Sequence, residues 1–171
     1  DSVAPTISGN LSVDFEGEST TAEVTGVTPE YESVRNYGLI EGSFITDDNV
    51  NGRASVALLG PEVADKLFGR REFITGETIR IDGQPFRVIG ILEAKGGGSF
   101  GSQDNVVLVP ITTARVRLVN RERDHVDVIF VQAVDAESVP IVTEEIGQIL
   151  RTRHRTDLGA DDFTIFTQED F

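Results

Sequence analysis

Several kinds of chemistry are excluded by residue types that this chain lacks. Its 171 residues contain no Cys, no Met and no Trp, and only two His. Without Cys there is no thiol nucleophile, no disulfide and no Cys-type zinc or iron–sulfur site. No apolar run reaches the roughly 18 residues that a membrane-spanning helix needs. The absence of Met, in a chain that begins with Asp1, predicts an excised or processed piece of a longer protein.

The charge of the chain is strongly negative and unevenly distributed. Its 15 Lys and Arg stand against 29 Asp and Glu, which gives a net charge of −14. This surplus repels the phosphates of nucleic acids and of anionic lipid surfaces, so we predict no nucleic-acid partner. Residues 46–123 carry 11 basic and 10 acidic side chains, whereas the rest carries 4 and 19. This partition predicts an acidic subdomain built from both chain ends, with a second subdomain inserted.

Alternating apolar and polar residues predict a β-hairpin near the start of the chain. Residues 11–15 and 20–27 alternate on either side of Glu16-Gly17-Glu18. Thr28-Pro29-Glu30 has the residue types of a helix start, which predicts a helix over residues 29–37 capped by Thr28. Residues 46–52 are rich in Asp and Asn and predict a polar loop.

Turn residues punctuate the middle of the chain. Residues 55–59 predict a strand, after which Gly60-Pro61 opens a helix that Gly69 ends. Asp82-Gly83 is typical of a tight hairpin between two strands, and Gly90 indicates a bulge or a close backbone approach. The patterns that follow predict a Gly- and Ser-rich loop over 96–105, a strand over 106–109 and a short helix from Thr112 to 119.

The last third of the chain predicts a β-α-β unit. Residues 127–134 form its first strand, and either Asp135 or Ser138 caps its helix. The apolar residues at 139, 142, 146, 149 and 150 would form one buried helix face. Residues 162–166 complete the unit, so the whole chain predicts a mixed α/β fold.

Two short motifs match ligand-binding fingerprints but lack the context that their ligands require. Residues 96–101 fit G-x-G-x-x-G, yet a strand follows, so a pyrophosphate would have no helix N-terminus to bind. Residues 47–52 match the opening of a calcium loop, but Leu58 stands where the bidentate Glu belongs. We therefore predict no cofactor and no metal site.

Catalytic motifs are equally incomplete. His125 and His154 lie in different parts of the chain, and neither has a second ligand at helical spacing. The chain has no G-x-S-x-G nucleophile elbow and no G-x-x-x-x-G-K-[ST] loop for ATP. We predict that the chain has no catalytic residue and is not an enzyme.

Four segments resemble, in the same order, the MacB-like ABC-transporter permeases. They are YESVRNYGLIEGSFI at 31–45, ASVALLGPEVADKLFG at 54–69, GETIRIDGQPFRVIGIL at 76–92, and residues 100–114, which contain the FGSQD loop and the VPITTA segment. Each segment alone is weakly diagnostic, but the four in register cover most of the chain.

The resemblance implies a location, a fold and a set of partners. Such domains lie outside the cytoplasm, between the first and second transmembrane helices of an export permease. They have two small α/β subdomains: here a porter-like β-α-β subdomain from residues 1–45 and 124–171, and an inserted β-rich, Sabre-like subdomain from residues 46–123. The implied partners are the protein's own transmembrane helices, a cytoplasmic ATP-binding domain or subunit, a second copy in a homodimer, and an adaptor or substrate protein.

We expect the domain to relay ATP-driven movement of the membrane helices to a substrate or partner outside the membrane. Ser99, Phe100 and Gln103 are the predicted partner contacts, because Phe100 is the only large apolar side chain of the Gly- and Ser-rich loop. Two alternatives remain open. One is a module that binds exported substrate or peptide in an apolar pocket between the subdomains. The other is a regulator that resembles FtsX and activates a cell-wall hydrolase.

Overall fold

The computed structural model describes residues 2–95, 97–98, 101–102, 104–118, 128–132, 143 and 146. The chain divides into two compact units, Ser2–Val131 and a smaller one that joins Asp1 to Gln132–Phe171. The larger unit holds nearly all of the described residues, and the architecture below is that of this unit.

Ten strands and five short helical segments make up the described elements. The strands are β1 (Ser2–Phe15), β2 (Glu18–Val27), β3 (Leu39–Gly42), β4 (Val56–Leu59), β5 (Thr78–Ile81), β6 (Gln84–Leu92), β7 (Gly97–Gly98), β8 (Gly101–Ser102), β9 (Val106–Pro110) and β10 (Val128–Gln132). The helices are α1 (Tyr31–Val34), α2 (Asp47–Asn51), α3 (Pro61–Phe68), α4 (Ile111–Thr113) and a π-helix (Ala114–Leu118) that continues α4.

Six of the strands pair in a ring. The order is β1-β2-β9-β4-β6-β5, and β5 pairs again with β1, where Val13 faces Ile81. β2–β9 and β4–β6 are parallel, and the other pairs of the ring are antiparallel. β10 joins the free edge of β1, and β3 joins that of β6. A sheet that closes on itself leaves few unpaired backbone groups at its edges.

The core lies on both faces of this sheet. Side chains on successive strand residues point to opposite faces, and in β9 Val107 and Val109 pack in one apolar cluster while Val106 and Leu108 pack in the other. The first cluster also takes the apolar face of α3, and the second takes α1 and the segment that follows it. Burial on both faces explains why β4 and β9 are almost continuously apolar.

The predictions that rest on turn chemistry are confirmed. Both hairpins have two central residues with positive φ, Glu16-Gly17 (43° and 88°) and Asp82-Gly83 (51° and 81°), as two-residue turns of type I′ require. Helix α3 begins at Pro61 and ends before Gly69, which adopts the left-handed conformation. The β4–β6 register shifts by one residue next to Gly90, which is the predicted bulge.

The prediction of a helix over residues 29–37, capped by Thr28, is wrong in its extent and its cap. Helix α1 covers four residues, Tyr31–Val34, and the Thr28 hydroxyl is buried without a hydrogen-bond partner. The backbone carbonyl of Thr28 accepts the Tyr31 N–H instead (3.1 Å). The helix cannot extend to residue 37, because Asn36 has a φ of 54°.

Two further boundaries differ from the predictions. Residues 46–52 form α2 rather than a loop, because Thr46 and Asn49 make a capping box: each side chain accepts the backbone N–H of the other (3.2 and 2.9 Å). Helix α4 begins at Ile111, so Thr112 is not its cap. The Thr112 hydroxyl donates to the carbonyl of Val50 in α2 (2.6 Å).

The predicted subdomains are not confirmed and stay a prediction. In the described part of the chain, β1 and β2 come from residues 1–45 and share the ring with β4, β5, β6 and β9 from residues 46–123. β10 confirms the first strand of the predicted β-α-β unit. Apart from Thr143 and Ile146, which are helical, the rest of that unit lies outside the described residues.

Candidate functional site

The predicted contact residues Ser99, Phe100 and Gln103 lie outside the described residues, so their role stays a prediction. Part of the predicted loop is not a loop: Gly97–Gly98 pairs antiparallel with Gly101–Ser102, which makes a small hairpin. The described structure fixes the two ends of this segment, and these ends define the candidate site.

Both ends of the segment are tied to neighbouring elements. The backbone N–H of Lys95 donates to a carboxylate oxygen of Asp104 (2.6 Å), which closes the segment at its base. The carbonyl of Asp104 accepts the backbone N–H of Glu62 (3.1 Å), in the first turn of α3. The Asn105 side chain donates to the carbonyl of Thr21 on β2 (3.3 Å). The base of the hairpin is therefore attached to the ring and to α3.

Four side chains around this base form what we call the loop-base cluster: Tyr31, Arg35, Tyr37 and Lys95. The rings of Tyr31 and Tyr37 stack with centroids 5.7 Å apart. The Lys95 ammonium lies 4.6 Å from the Tyr37 ring centroid and donates to the carbonyls of Arg35 (2.5 Å) and Asn36 (3.3 Å). The Arg35 guanidinium donates to the Tyr31 hydroxyl (3.3 Å). Lys95 thus connects the hairpin to the end of α1.

Burial shapes the charges of the cluster. Burial raises the pKa of Tyr31 and of Tyr37 above the usual value of a phenol, so both are neutral at pH 7. Burial, and then the nearby charge of Arg35, lowers the pKa of the Lys95 ammonium. A partly desolvated cation over an aromatic ring is a stabilising contact. The cluster therefore suits a positioning role, because it holds the start of the hairpin in place.

The sequence gave no prediction for the loop-base cluster. One signal was available: Lys95 is the only basic residue of residues 88–114, and it directly precedes the glycine run. The partners of Lys95 could not be inferred in the same way, since Tyr31 and Tyr37 lie about 60 positions earlier in the chain.

The possible ligand sites take on other structural roles. Residues 47–51, which match the start of a calcium loop, form α2 instead. Across the ranges that the structure describes, no three potential metal-ligating side chains lie together. No helix in those ranges combines the length and apolar character needed to cross a bilayer.

Residues 1–149 match the family described as the MacB-like periplasmic core domain. The chain is 35% identical over 170 residues to the macrolide export ATP-binding/permease protein MacB of Bdellovibrio bacteriovorus, covering 98% of this chain and 26% of the relative. It is 32% identical over 165 residues to the pyoverdine export ATP-binding/permease protein PvdT of Pseudomonas entomophila, covering 95% and 24%. The chain thus spans about a quarter of the length of these relatives.

Solved structures share the fold. The periplasmic region of MacB from Actinobacillus actinomycetemcomitans has a TM-score of 0.76 at 23% identity, covering 91% of this chain and 68% of that one. The extracellular domain of the ABC-type transporter YknZ from Gram-positive bacteria has a TM-score of 0.76 at 20% identity, covering 92% and 78%. Both likenesses support a mixed α/β fold with a core dominated by its sheet.

The sheet-dominated fold and these matches define an extracytoplasmic domain of an ABC-transporter permease. Such a domain is part of a membrane protein and is not itself a catalytic enzyme, although the full-length relatives are ATP-binding/permease proteins. The chain belongs to the family of MacB-like periplasmic core domains.

Proposed function

We propose that this domain transmits ATP-driven movement of transmembrane helices to a substrate or partner outside the membrane. The observation that carries the proposal is the ring of six paired strands, with apolar side chains packed on both faces of the sheet. Close-packed interiors deform little and transmit strain. Movement applied at one end of such a body therefore reappears at its other end as a rigid displacement.

The proposed assembly contains more than this chain. We infer that the full protein joins it to its own transmembrane helices and to a cytoplasmic ATP-binding domain, and that two copies form a homodimer. An adaptor or substrate protein is the proposed outer partner. The relatives are named for the export of macrolides and of pyoverdine. Because these cargoes differ chemically, we propose export as the shared activity, without assigning a cargo.

The proposal assigns the hairpin around Phe100 as the contact with the outer partner. Its support is the loop-base cluster, which fixes where the hairpin leaves the ring. In the full transporter, Phe100→Ala should lower export while the melting temperature stays unchanged. Val3→Ala is the matched control, because Val3 is an exposed apolar residue on β1. Equal export by the two variants would remove the hairpin from the proposal.

Rigid transmission is tested with paired spin labels on the full-length transporter. The chain contains no Cys, so Asn10→Cys on β1 and Asp48→Cys on α2 place labels at two exposed sites of one domain. We expect the Asn10–Asp48 distance to change by less than about 2 Å between the nucleotide-free and ATP-bound states. The distance between the Asn10 labels of two copies should change by more. A large change within the domain, with a constant distance between copies, would contradict the proposal.

The cargo-binding alternative receives no support from the described residues. The groove that they form between the β1–β2 turn and β5 is lined by Asp14, Glu16, Glu77 and Arg80 as well as by Phe15. This charged lining differs from the apolar pocket that the alternative predicts. The regulator resembling FtsX stays a prediction, which co-purification of a cell-wall hydrolase would support.

A further inference from the structure

Phe73 is an aromatic residue that the fold exposes to water. Its exposed fraction is 84%, compared with 61% for Val116 and 52% for Val3, the other exposed large apolar residues of the described part. Its φ is 58°. A bulky residue is rare at positive φ and is destabilising there. The backbone conformation and the exposed ring are both unfavourable within the monomer.

The turn that carries Phe73 is held firmly. The Glu41 carboxylate on β3 accepts the backbone N–H groups of Ile74 (3.4 Å) and Thr75 (3.1 Å) and the Thr75 hydroxyl (2.5 Å). The Arg70 guanidinium donates to carbonyls within the turn, including that of Phe73 (3.2 Å). The Ile74 side chain is fully buried. The ring of Phe73 is therefore presented from a fixed support.

A groove lies beside this turn. Its volume is about 620 Å³, and its lining includes Asp14, Phe15, Glu16, Gly76, Glu77 and Arg80. Phe15 packs on Phe68 with ring centroids 4.1 Å apart, and the Arg70 guanidinium lies 5.7 Å from the Phe68 ring centroid. The groove and the turn are thus parts of one continuous surface.

The turn and the groove have opposite charge. Residues 69–76 contain two Arg and one Glu, whereas the groove is lined by three acids and one Arg. Arg71 is paired with the Asp65 carboxylate (2.9 Å). The hydrogen-bond partners of Arg70 are neutral carbonyls, which leave its positive charge unbalanced. A basic, aromatic tip therefore stands next to an acidic groove that contains a Phe.

We propose that this surface binds a second copy of the same chain, with the Phe73 tip of each copy in the groove of the other. Tip and groove are adjacent on one chain, so a two-fold axis brings both tips onto both grooves at once, as an isologous interface requires. Each contact places Phe73 near Phe15 and Arg70 near Asp14 and Glu16. The proposal goes beyond the mechanical role given above and does not depend on it.

Charge favours this occupant. A net charge of −14 opposes contact between two copies over most of their surface. Attraction is therefore limited to places where a basic group meets an acidic one, as the tip meets the groove. The same net charge opposes docking on an anionic membrane.

The test is sedimentation equilibrium of the chain up to about 1 mM, the local concentration that two tethered copies reach. We expect a monomer–dimer equilibrium that Phe73→Ala weakens about 30-fold, because an aromatic anchor is lost from both halves of the contact. Glu16→Lys, in the groove, should weaken it as well. Val3→Ala is the matched control and should change nothing, because Val3 lies about 40 Å along β1 from Phe15.

Mixing the two variants gives the sharpest result. A Phe73→Ala copy has an intact groove and a Glu16→Lys copy has an intact tip, so the mixed dimer regains one complete half-contact. We expect the mixture to associate more tightly than either variant alone. The proposal is overturned if the original chain stays monomeric at 1 mM, if Phe73→Ala associates as Val3→Ala does, or if mixing restores nothing. None of these results bears on transmission within the full transporter, which the spin labels test.

Discussion

Gly42 and Gly83 have nearly the same left-handed backbone, with φ of 80° and 81°, in different surroundings. A Cβ on Gly83 would meet no atom within 4 Å. A Cβ on Gly42 would collide with the carbonyl oxygen of Ile89 and lie 2.6 Å from the Cα of Gly90. The obstacle is the backbone of β6, which cannot rotate away as a side chain can. Replacing each glycine with Ala therefore separates backbone strain from steric collision.

The expected losses of unfolding free energy differ by a measurable amount. Gly83→Ala should cost about 1–2 kcal/mol, the penalty for a Cβ in the left-handed conformation. Gly42→Ala carries the same penalty and adds overpacking against β6, worth about 1–3 kcal/mol more. It also disturbs the adjacent bond from the Ser43 N–H to the Ile89 carbonyl (3.0 Å). The summed loss is a large share of the roughly 5–15 kcal/mol that stabilises a typical domain.

Urea unfolding monitored by circular dichroism measures the difference. With a slope of about 1–3 kcal/mol per molar urea, an extra loss of 2 kcal/mol should move the midpoint of Gly42→Ala about 1 M below that of Gly83→Ala. The slopes of the two variants should agree, since neither changes the surface exposed on unfolding. Equal midpoints, or a lower midpoint for Gly83→Ala, would show that β3 does not approach β6 as described.

Three further predictions concern stability. Burial alone would raise the pKa of Glu41, but donors from Thr75 and the neighbouring backbone outweigh it and hold that pKa below 4.5; this stabilisation should disappear as pH falls from 4.5 through the folded-state pKa, and Glu41→Gln should flatten that part of a plot of melting temperature against pH. Thr46→Ala removes half of the capping box with Asn49 and should cost about 1 kcal/mol in urea unfolding; a cost no larger than that of Val3→Ala would contradict the cap. Leu58→Ala, in the second apolar cluster, should cost about 2–5 kcal/mol, and a loss below 1 kcal/mol would refute its burial.

Local features of the fold could be predicted, and long-range pairings could not. Asp82-Gly83 specifies its turn because both central residues tolerate positive φ, and that requirement is contained in two adjacent residues. The pairing of β5 with β1 joins Val13 to Ile81, far apart in the chain, and no local pattern specifies it. Residues 46–52 misled because Asp and Asn suit both turns and helix starts. The Thr46–Asn49 spacing that decides between them resembles a capping box only when Asn takes the place of Glu or Gln.

The candidate site was less accessible to sequence reasoning. Phe100 stood out as the large apolar residue in a glycine-rich segment, which is a local signal. Phe73 gave no such signal, because nothing local distinguishes an exposed Phe from a buried one. Its exposure follows from Glu41 and Arg70, which hold the turn, and Glu41 lies 33 positions from Ile74.

The length of β1 has a mechanical consequence. Nine consecutive residues of β1, from Ile7 to Phe15, pair with β2, and the opposite edge of β1 pairs with β5 near its end. A force directed along this strand loads those hydrogen bonds sideways and all together, whereas a force across it would break them one after another. Tension along β1 therefore has to rupture the whole set at once, so β1 resists pulling best along the direction of its own chain.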